Sequence, residues 1–205
     1  MLKYHFIVFN DLDNNINSWV NIGYIASYIS NNNNISVQFS FYTINDVEKA
    51  IKEIHLANPD IIGLPILQHN FYQALSFCEK IKILLPNVYI TLGNKEATRY
   101  GYYIMENYPS IDAIILGEGE VTTKELCDYI SSNQDISNCS GLLIRRGKEI
   151  FETPARPLIN ELDALPFPYR AYRIGKGNIF NVIGSRGCVG CCSFCEANTI
   201  FHKNT

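Results

Sequence analysis

Nowhere in the 205 residues is there a run of about 18 uninterrupted apolar residues, so no membrane-spanning helix is expected. Basic charge is not in surplus either. Seventeen Lys and Arg stand against 20 Asp and Glu, a formal net charge of −3. A general nucleic-acid binder carries a basic face, so nucleic acid is not an expected partner. A secretory leader needs a basic start, a long apolar stretch and a cleavage site. Here Met1-Leu2-Lys3-Tyr4-His5 runs straight into a short apolar segment, and a cytoplasmic protein is expected. Internal repeats are absent. A disordered chain is short of apolar residues. This one is not: hydrophobic residues make up 47% and aromatics 12%, enough to bury a core.

What the chain does have is unevenly placed. Up to residue 140 there are 8 Lys and Arg against 15 Asp and Glu, and beyond it 9 against 5, a shift that marks a candidate boundary. Of seven cysteines, Cys78, Cys127 and Cys139 are scattered, while Cys188, Cys191, Cys192 and Cys195 fall within eight residues. A disulfide framework spreads its cysteines to staple distant segments, whereas crowding on one loop suits a metal in a reducing compartment.

The first 130 residues alternate between short apolar strands and helical spacing. Strands are expected at Tyr4–Phe9, Ser36–Phe41, Asp60–Ile66, Val88–Leu92 and Ala113–Leu116. Helices are expected around Trp19–Ile29, after an Asn45/Glu48 capping box, over Phe71–Ile81, over Lys95–Asn107, and from a Thr122/Glu125 cap to Ile130. Five such strands separated by helices predict a doubly wound, parallel α/β sheet of the flavodoxin or Rossmann type, covered on both faces. Ligands in these sheets bind at the carboxyl ends of the strands. The loops to inspect are therefore Asn10–Asn17, Pro65–Asn70, Gly93–Thr98 and Gly117–Val121. Residues 1–138 form this expected domain.

Residues 139–178 read as a hairpin around Gly147-Lys148, then an extended linker with four of the eight prolines between Pro154 and Pro168. Few contacts are expected across that linker, so residues 1–130 should fold without it. Residues 179–205 begin with a fresh apolar strand, Ile179–Ile183, that delivers the cysteines. Ten residues after Cys195 cannot complete a new domain, so the chain is expected to be part of a longer protein.

Cys188, Cys192 and Cys195 have the spacing C-x3-C-x2-C. Three thiolates on a tight loop suit a four-iron cluster with one iron left open for chemistry. A structural zinc ion with Cys191 or His202 as fourth ligand is the alternative. Phe194 would form an apolar wall that limits solvent access. Glu118 and Glu120 either reach a ligand at the sheet edge or serve a helix N-terminus, with Gly117 and Gly119 allowing the bend. His69 follows the third strand and either contacts a cofactor or is an ordinary surface histidine.

The run Ile183-Gly184-Ser185-Arg186-Gly187-Cys188-Val189-Gly190-Cys191-Cys192-Ser193-Phe194-Cys195 resembles the radical S-adenosylmethionine superfamily. Leu116-Gly117-Glu118-Gly119-Glu120, Gly141-Leu142 and Leu162-Asp163-Ala164-Leu165-Pro166-Phe167-Pro168 are similar to the branch with an N-terminal cobalamin-binding domain. The resemblance implies that Cys188, Cys192 and Cys195 ligate a [4Fe–4S] cluster whose open iron chelates S-adenosylmethionine. Reductive cleavage then yields a 5′-deoxyadenosyl radical, with an electron donor such as flavodoxin or ferredoxin. Methyl transfer is one outcome in this branch and other radical chemistry another. The partial barrel that would hold substrate is expected to follow the cysteine loop, and the chain alone is expected to turn over little. Catalytic residues and substrate are not assigned.

Cobalamin itself is left open. The first loop, Asn10-Asp11-Leu12-Asp13-Asn14-Asn15, lacks the D-x-H-x-x-G that would supply a lower histidine ligand. Pro65 stands where a small hydroxyl residue is usual, and Asn94 where a second glycine would follow Gly93. Pro65, His69, Gly93, Asn94, Gly117, Glu118, Gly119 and Glu120 are the candidate contacts. The alternatives are a non-catalytic cobalamin- or tetrapyrrole-binding module and a zinc-stabilised interaction protein.

Overall fold

A three-residue strand such as Ala-Ile-Ile holds its place only when neighbours pair with it on both sides and its faces are covered. That is its situation in the computed structural model of the protein, which describes residues 1–10, 19–31, 34–171, 181–188, 190 and 192–194. Five parallel strands run as expected: β1 (Leu2–Asn10), β2 (Ile35–Thr43), β3 (Ile61–Pro65), β4 (Tyr89–Gly93) and β5 (Ala113–Ile115). Their register aligns Phe6 with Phe39 and Gly63, Gly63 with Thr91, and Thr91 with Ala113.

The hairpin does not stand apart. Strands β6 (Leu142–Arg146) and β7 (Glu149–Glu152) extend the sheet antiparallel, giving seven strands in the order β2-β1-β3-β4-β5-β6-β7. The five-stranded expectation missed this because β5 needs a second partner. Ile114 pairs with Leu143, and Leu142, Leu143 and Ile144 are all buried. Unpaired, the outer edge of β5 would leave buried backbone groups without partners.

The linker is corrected too. Leu165 packs with Val20 and Tyr24. Arg156 bonds the Thr122 hydroxyl at 2.7 Å and the Ser140 carbonyl at 3.0 Å, and pairs with Glu125. The fresh strand expected at 179–183 is not formed in its described part, 181–183. A strand exists by its ladder, and those residues have no strand partner among the described residues.

Helices α1 (Val20–Ser30) and α6 (Gly119–Ser131) cover one face. Helices α2 (Val47–Ala57), α3 (Phe71–Leu84), α4 (Lys95–Arg99) and α5 (Gly101–Asn107) cover the other. Strand alternation feeds both layers: Ile7, Phe9, Ile62, Leu64, Ile90 and Leu92 face α2 to α5, whereas Phe6, Val8 and Ile61 face α1 and α6. A short α7 (Pro168–Ala171) closes the linker. Among the described residues no helix is long and apolar enough to cross a membrane.

Three helix ends differ from expectation. Helix α2 starts after Asp46, not Asn45, and the Asp46 carboxylate turns back to the Thr43 hydroxyl at 2.7 Å instead of capping. The 95–107 segment is two helices that meet at Tyr100. Helix α6 begins at Gly119, placing Thr122 inside it, because the chain reverses at Gly117 (φ +70°) straight after β5.

Candidate functional site

A cavity of about 440 Å³ opens at the carboxyl ends of β3, β4 and β5, on the α1/α6 face. Its floor is Tyr4, Phe6, Gly63 and Thr91. These residues alternate with the core-facing ones, so the strand period alone directs them to this side. The Tyr4 hydroxyl meets Thr91 Oγ1 at 3.1 Å, and Thr91 Oγ1 donates to the Ile62 carbonyl at 3.2 Å. Burial, then the nearby Cys127, pushes the Tyr4 phenol well above its ordinary pKa, so it stays protonated.

The walls come from α1 (Asn21, Ile22, Ile25) and the first turns of α6 (Gly119, Glu120, Thr123). Two polar atoms there, Asn21 Oδ1 and Thr123 Oγ1, are buried without a protein partner. Both residues line the cavity, so among the described residues its wall carries two polar groups that no protein atom satisfies. Gly93 adds room: a β-carbon there would meet nothing within 4 Å.

The rim contains most of the residues singled out from the sequence. Pro65, Gly93, Asn94, Gly117, Glu118, Gly119 and Glu120 all line the cavity. Asn94 adopts φ 76° and ψ 176°, a backbone region that is nearly exclusive to glycine. The chain thus keeps a glycine's path without the glycine. The Asn94 side chain accepts the Lys95 N–H at 2.8 Å, which opens α4. His69 is not among the lining residues. It lies in the turn Gln68–Asn70, with its ring edge-on to Trp19 at 6.4 Å. That turn is held by Asn70, whose amide bonds the carbonyls of Phe9 and Pro65 at 3.0 and 3.1 Å. The first loop, 11–18, lies outside the described residues.

Glu118 and Glu120 face a partner that sequence spacing does not reveal. Arg186 Nη1 bonds Glu118 Oε1 at 3.0 Å and Glu120 Oε2 at 3.2 Å, and its Nη2 pairs with Glu120 Oε1. Side-chain exposures are 12% for Arg186, 7% for Glu118 and 4% for Glu120, so this is a buried triad. Burial of the guanidinium works against its charge, but the Glu120 and then the Glu118 contacts outweigh it and hold the proton more tightly than usual. Glu118 Oε2 also accepts the Ile159 N–H at 2.6 Å, tying in the linker. Gly119 lets this happen at close quarters, since a β-carbon there would press on Ile25. The signal that could have found the triad is the lone Arg186 two residues before Cys188, opposite an acidic pair at a strand end.

Arg186 and its neighbours Ile183, Ser185 and Gly187 complete the cavity wall. The segment entering the cysteine loop is therefore part of the site. Cys188 and Cys192 are exposed, and Gly190 donates its N–H to Cys188 Sγ at 3.3 Å. Both sulfurs flank Gly190, 3.4 and 3.6 Å from where a β-carbon would stand. Cys191, Cys195 and His202 lie outside the described residues, and Phe194 is 89% exposed, walling off no solvent among them. The scattered cysteines are different in kind: burial pushes the Cys127 and Cys139 thiols up to about 12 and Cys78 higher still, so none offers a thiolate.

The comparisons with known proteins fit this geometry. The family model described as the B12 binding domain matches residues 14–127. An uncharacterized methyltransferase of Pyrococcus horikoshii is 29% identical over 194 residues, covering 89% of this chain and 41% of that protein. The cobalamin-dependent radical SAM methyltransferase TokK of Streptomyces tokunonensis is 24% identical over 194 residues, covering 85% and 28%. The fold is shared with the radical S-adenosylmethionine methyltransferase TsrM of Kitasatospora setae, solved with cobalamin and a [4Fe–4S] cluster. The TM-score is 0.63 at 14% identity, over 81% of this chain and 31% of that one. The chain thus spans less than half the length of these relatives.

Proposed function

The chain belongs to the B12 binding domain family, and from that premise we propose that it holds cobalamin in the cavity on the α1/α6 face and presents an iron–sulfur loop beside it, as the N-terminal part of a radical S-adenosylmethionine enzyme. The observation that carries this reading is the make-up of the cavity wall. One side is a sheet edge with the orphaned Asn21 Oδ1 and Thr123 Oγ1, and the other is the segment that runs into Cys188. A stand-alone binding module has no need of that second side.

The residues suit the group. Gly93 leaves open space at the end of β4, and Asn21 and Thr123 would offer the ligand an acceptor and a hydroxyl. Pro65, Gly93, Asn94 and Gly117 would contact it at the rim. Glu118 and Glu120 would act through Arg186 rather than touch it. His69 would not ligate it. Cys188, Cys192 and Cys195 would hold the [4Fe–4S] cluster, with S-adenosylmethionine on the open iron. When bound, these cofactors supply methyl-transfer or other radical chemistry, which is theirs and not the protein's. The protein binds, orients and excludes water. Its partners would be a small-molecule substrate held by the rest of the enzyme and a cytoplasmic electron donor such as flavodoxin or ferredoxin.

Anaerobic reconstitution with iron and sulfide tests the loop. The wild type should take up about four irons per chain. Replacing Cys188, Cys192 or Cys195 by Ala should abolish uptake, and Cys191→Ala should not. Zinc retained in place of iron, or iron lost with Cys191→Ala, would overturn the ligand assignment.

A further inference from the structure

Arg186 sits two residues before Cys188, and its guanidinium lies 66 and 68 residues away in sequence from the carboxylates it grips. Two buried carboxylates on one guanidinium leave an excess negative charge. The N-terminus of α6, where both acids sit, offsets part of it. The Tyr24 ring lies 5.9 Å from the guanidinium carbon. Both terminal nitrogens of the guanidinium engage Glu120 while Nη1 also reaches Glu118, a planar two-nitrogen grip that the single ammonium nitrogen of a lysine cannot reproduce. Removing either side of such a buried pair strands a charge and is far more costly than losing a surface ion pair. Because Ile183, Ser185, Arg186 and Gly187 also wall the cavity, anything that fills the cavity bears on the latched segment.

We propose that Arg186 is a positioning residue: gripped by Glu118 and Glu120, it fastens the cysteine loop to the cavity mouth, so that ligand in the cavity and placement of the loop become one coupled equilibrium. The identity of the ligand rests on the cobalamin reading, and the latch itself does not. A ligand that touches the latched wall binds the latched state better, and by reciprocity the latched state binds the ligand better.

Limited trypsin digestion followed by mass spectrometry reads the latch directly, because trypsin must extract the Arg186 side chain to cut before Gly187. Without ligand, cleavage at this bond should be slow in the wild type and at least about tenfold faster in Glu118→Gln/Glu120→Gln, with Arg186→Lys in between. Saturating hydroxocobalamin should slow cleavage of the wild type by about tenfold and leave the double variant unaffected, and the double variant should bind hydroxocobalamin about tenfold more weakly. A merely structural role would not make protection at one bond depend on ligand. Equal ligand-free cleavage of wild type and folded variants overturns the latch. So does equal hydroxocobalamin affinity in wild type and double variant. If the double variant does not fold, Arg186→Lys carries both comparisons. A wild type that is latched but binds no hydroxocobalamin overturns the cobalamin reading and the coupling, while the latch stands on the ligand-free digestion.

Discussion

The ring of Tyr4 lies over Gly63, so close that a β-carbon at position 63 would collide with the phenol. The pair forms the cavity floor, and the Tyr4–Thr91–Ile62 hydrogen bonds fix the ring. Gly63→Ala should therefore cost about 1–3 kcal/mol as overpacking. It should also weaken hydroxocobalamin binding by tilting the ring into the cavity. Urea unfolding and an absorbance titration measure the two effects. An Ala variant with wild-type stability would show that the ring is free to move.

Asn94 holds a glycine's backbone conformation at a cost of about 1–3 kcal/mol. Asn94→Gly relieves it, and after the extra unfolded-chain entropy of glycine a net gain of about 1 kcal/mol is expected. The midpoint of urea unfolding should rise with its slope unchanged. A fall would mean that the Asn94 bond to the Lys95 N–H is worth more than the strain.

A chain ending near Asn138 should not melt cooperatively. It lacks β6, which covers the outer edge of β5 and buries Leu142, Leu143 and Ile144. It also lacks Arg156 and Leu165, which fasten α6 and α1. Circular dichroism on heating, with light scattering for aggregation, checks this. A sharp melt would make the hairpin an ornament.

The parallel half of the fold was legible because β1, β3, β4 and β5 are short, mostly apolar runs between helical periods. Hairpin pairing was not, since nothing in Gly141–Arg146 announces that β5 lacks a second neighbour. The rim residues were found by the rule that places ligands at strand ends. His69 obeyed the same rule and yet lies off the cavity, because Asn70 folds that turn back onto Phe9 and Pro65. From spacing alone the acidic pair fits ligand contact or helix start. The charge of Arg186 beside Cys188 hints at a partner, but the approach that joins them spans 66 and 68 residues and is tertiary.

His5 is buried beside Ser40, 2.8 Å from its hydroxyl, and burial lowers its pKa from 6.5 to about 4. The unfolded chain takes up this proton first as pH falls. Stability is therefore whole above pH 6.5, is lost progressively between 6.5 and about 4, and levels off below. The loss from this residue is about 3 kcal/mol. In His5→Gln, which keeps a partner for Ser40, this part of the pH dependence should vanish. Identical melting-temperature profiles for both proteins over that range would assign the acid sensitivity elsewhere.

Cobalamin in the cavity on the α1/α6 face would have no protein histidine beneath it. Titration of hydroxocobalamin into the wild type, Gly93→Leu and His69→Ala, followed by visible absorbance, tests this placement most directly. Gly93 lines the cavity and a β-carbon there would meet nothing within 4 Å, so a leucine side chain starts out into cavity space. Wild type and His69→Ala should bind with equal affinity, and Gly93→Leu should lose at least about tenfold at unchanged melting temperature. Undiminished binding by Gly93→Leu, or binding lost in His69→Ala, would contradict it.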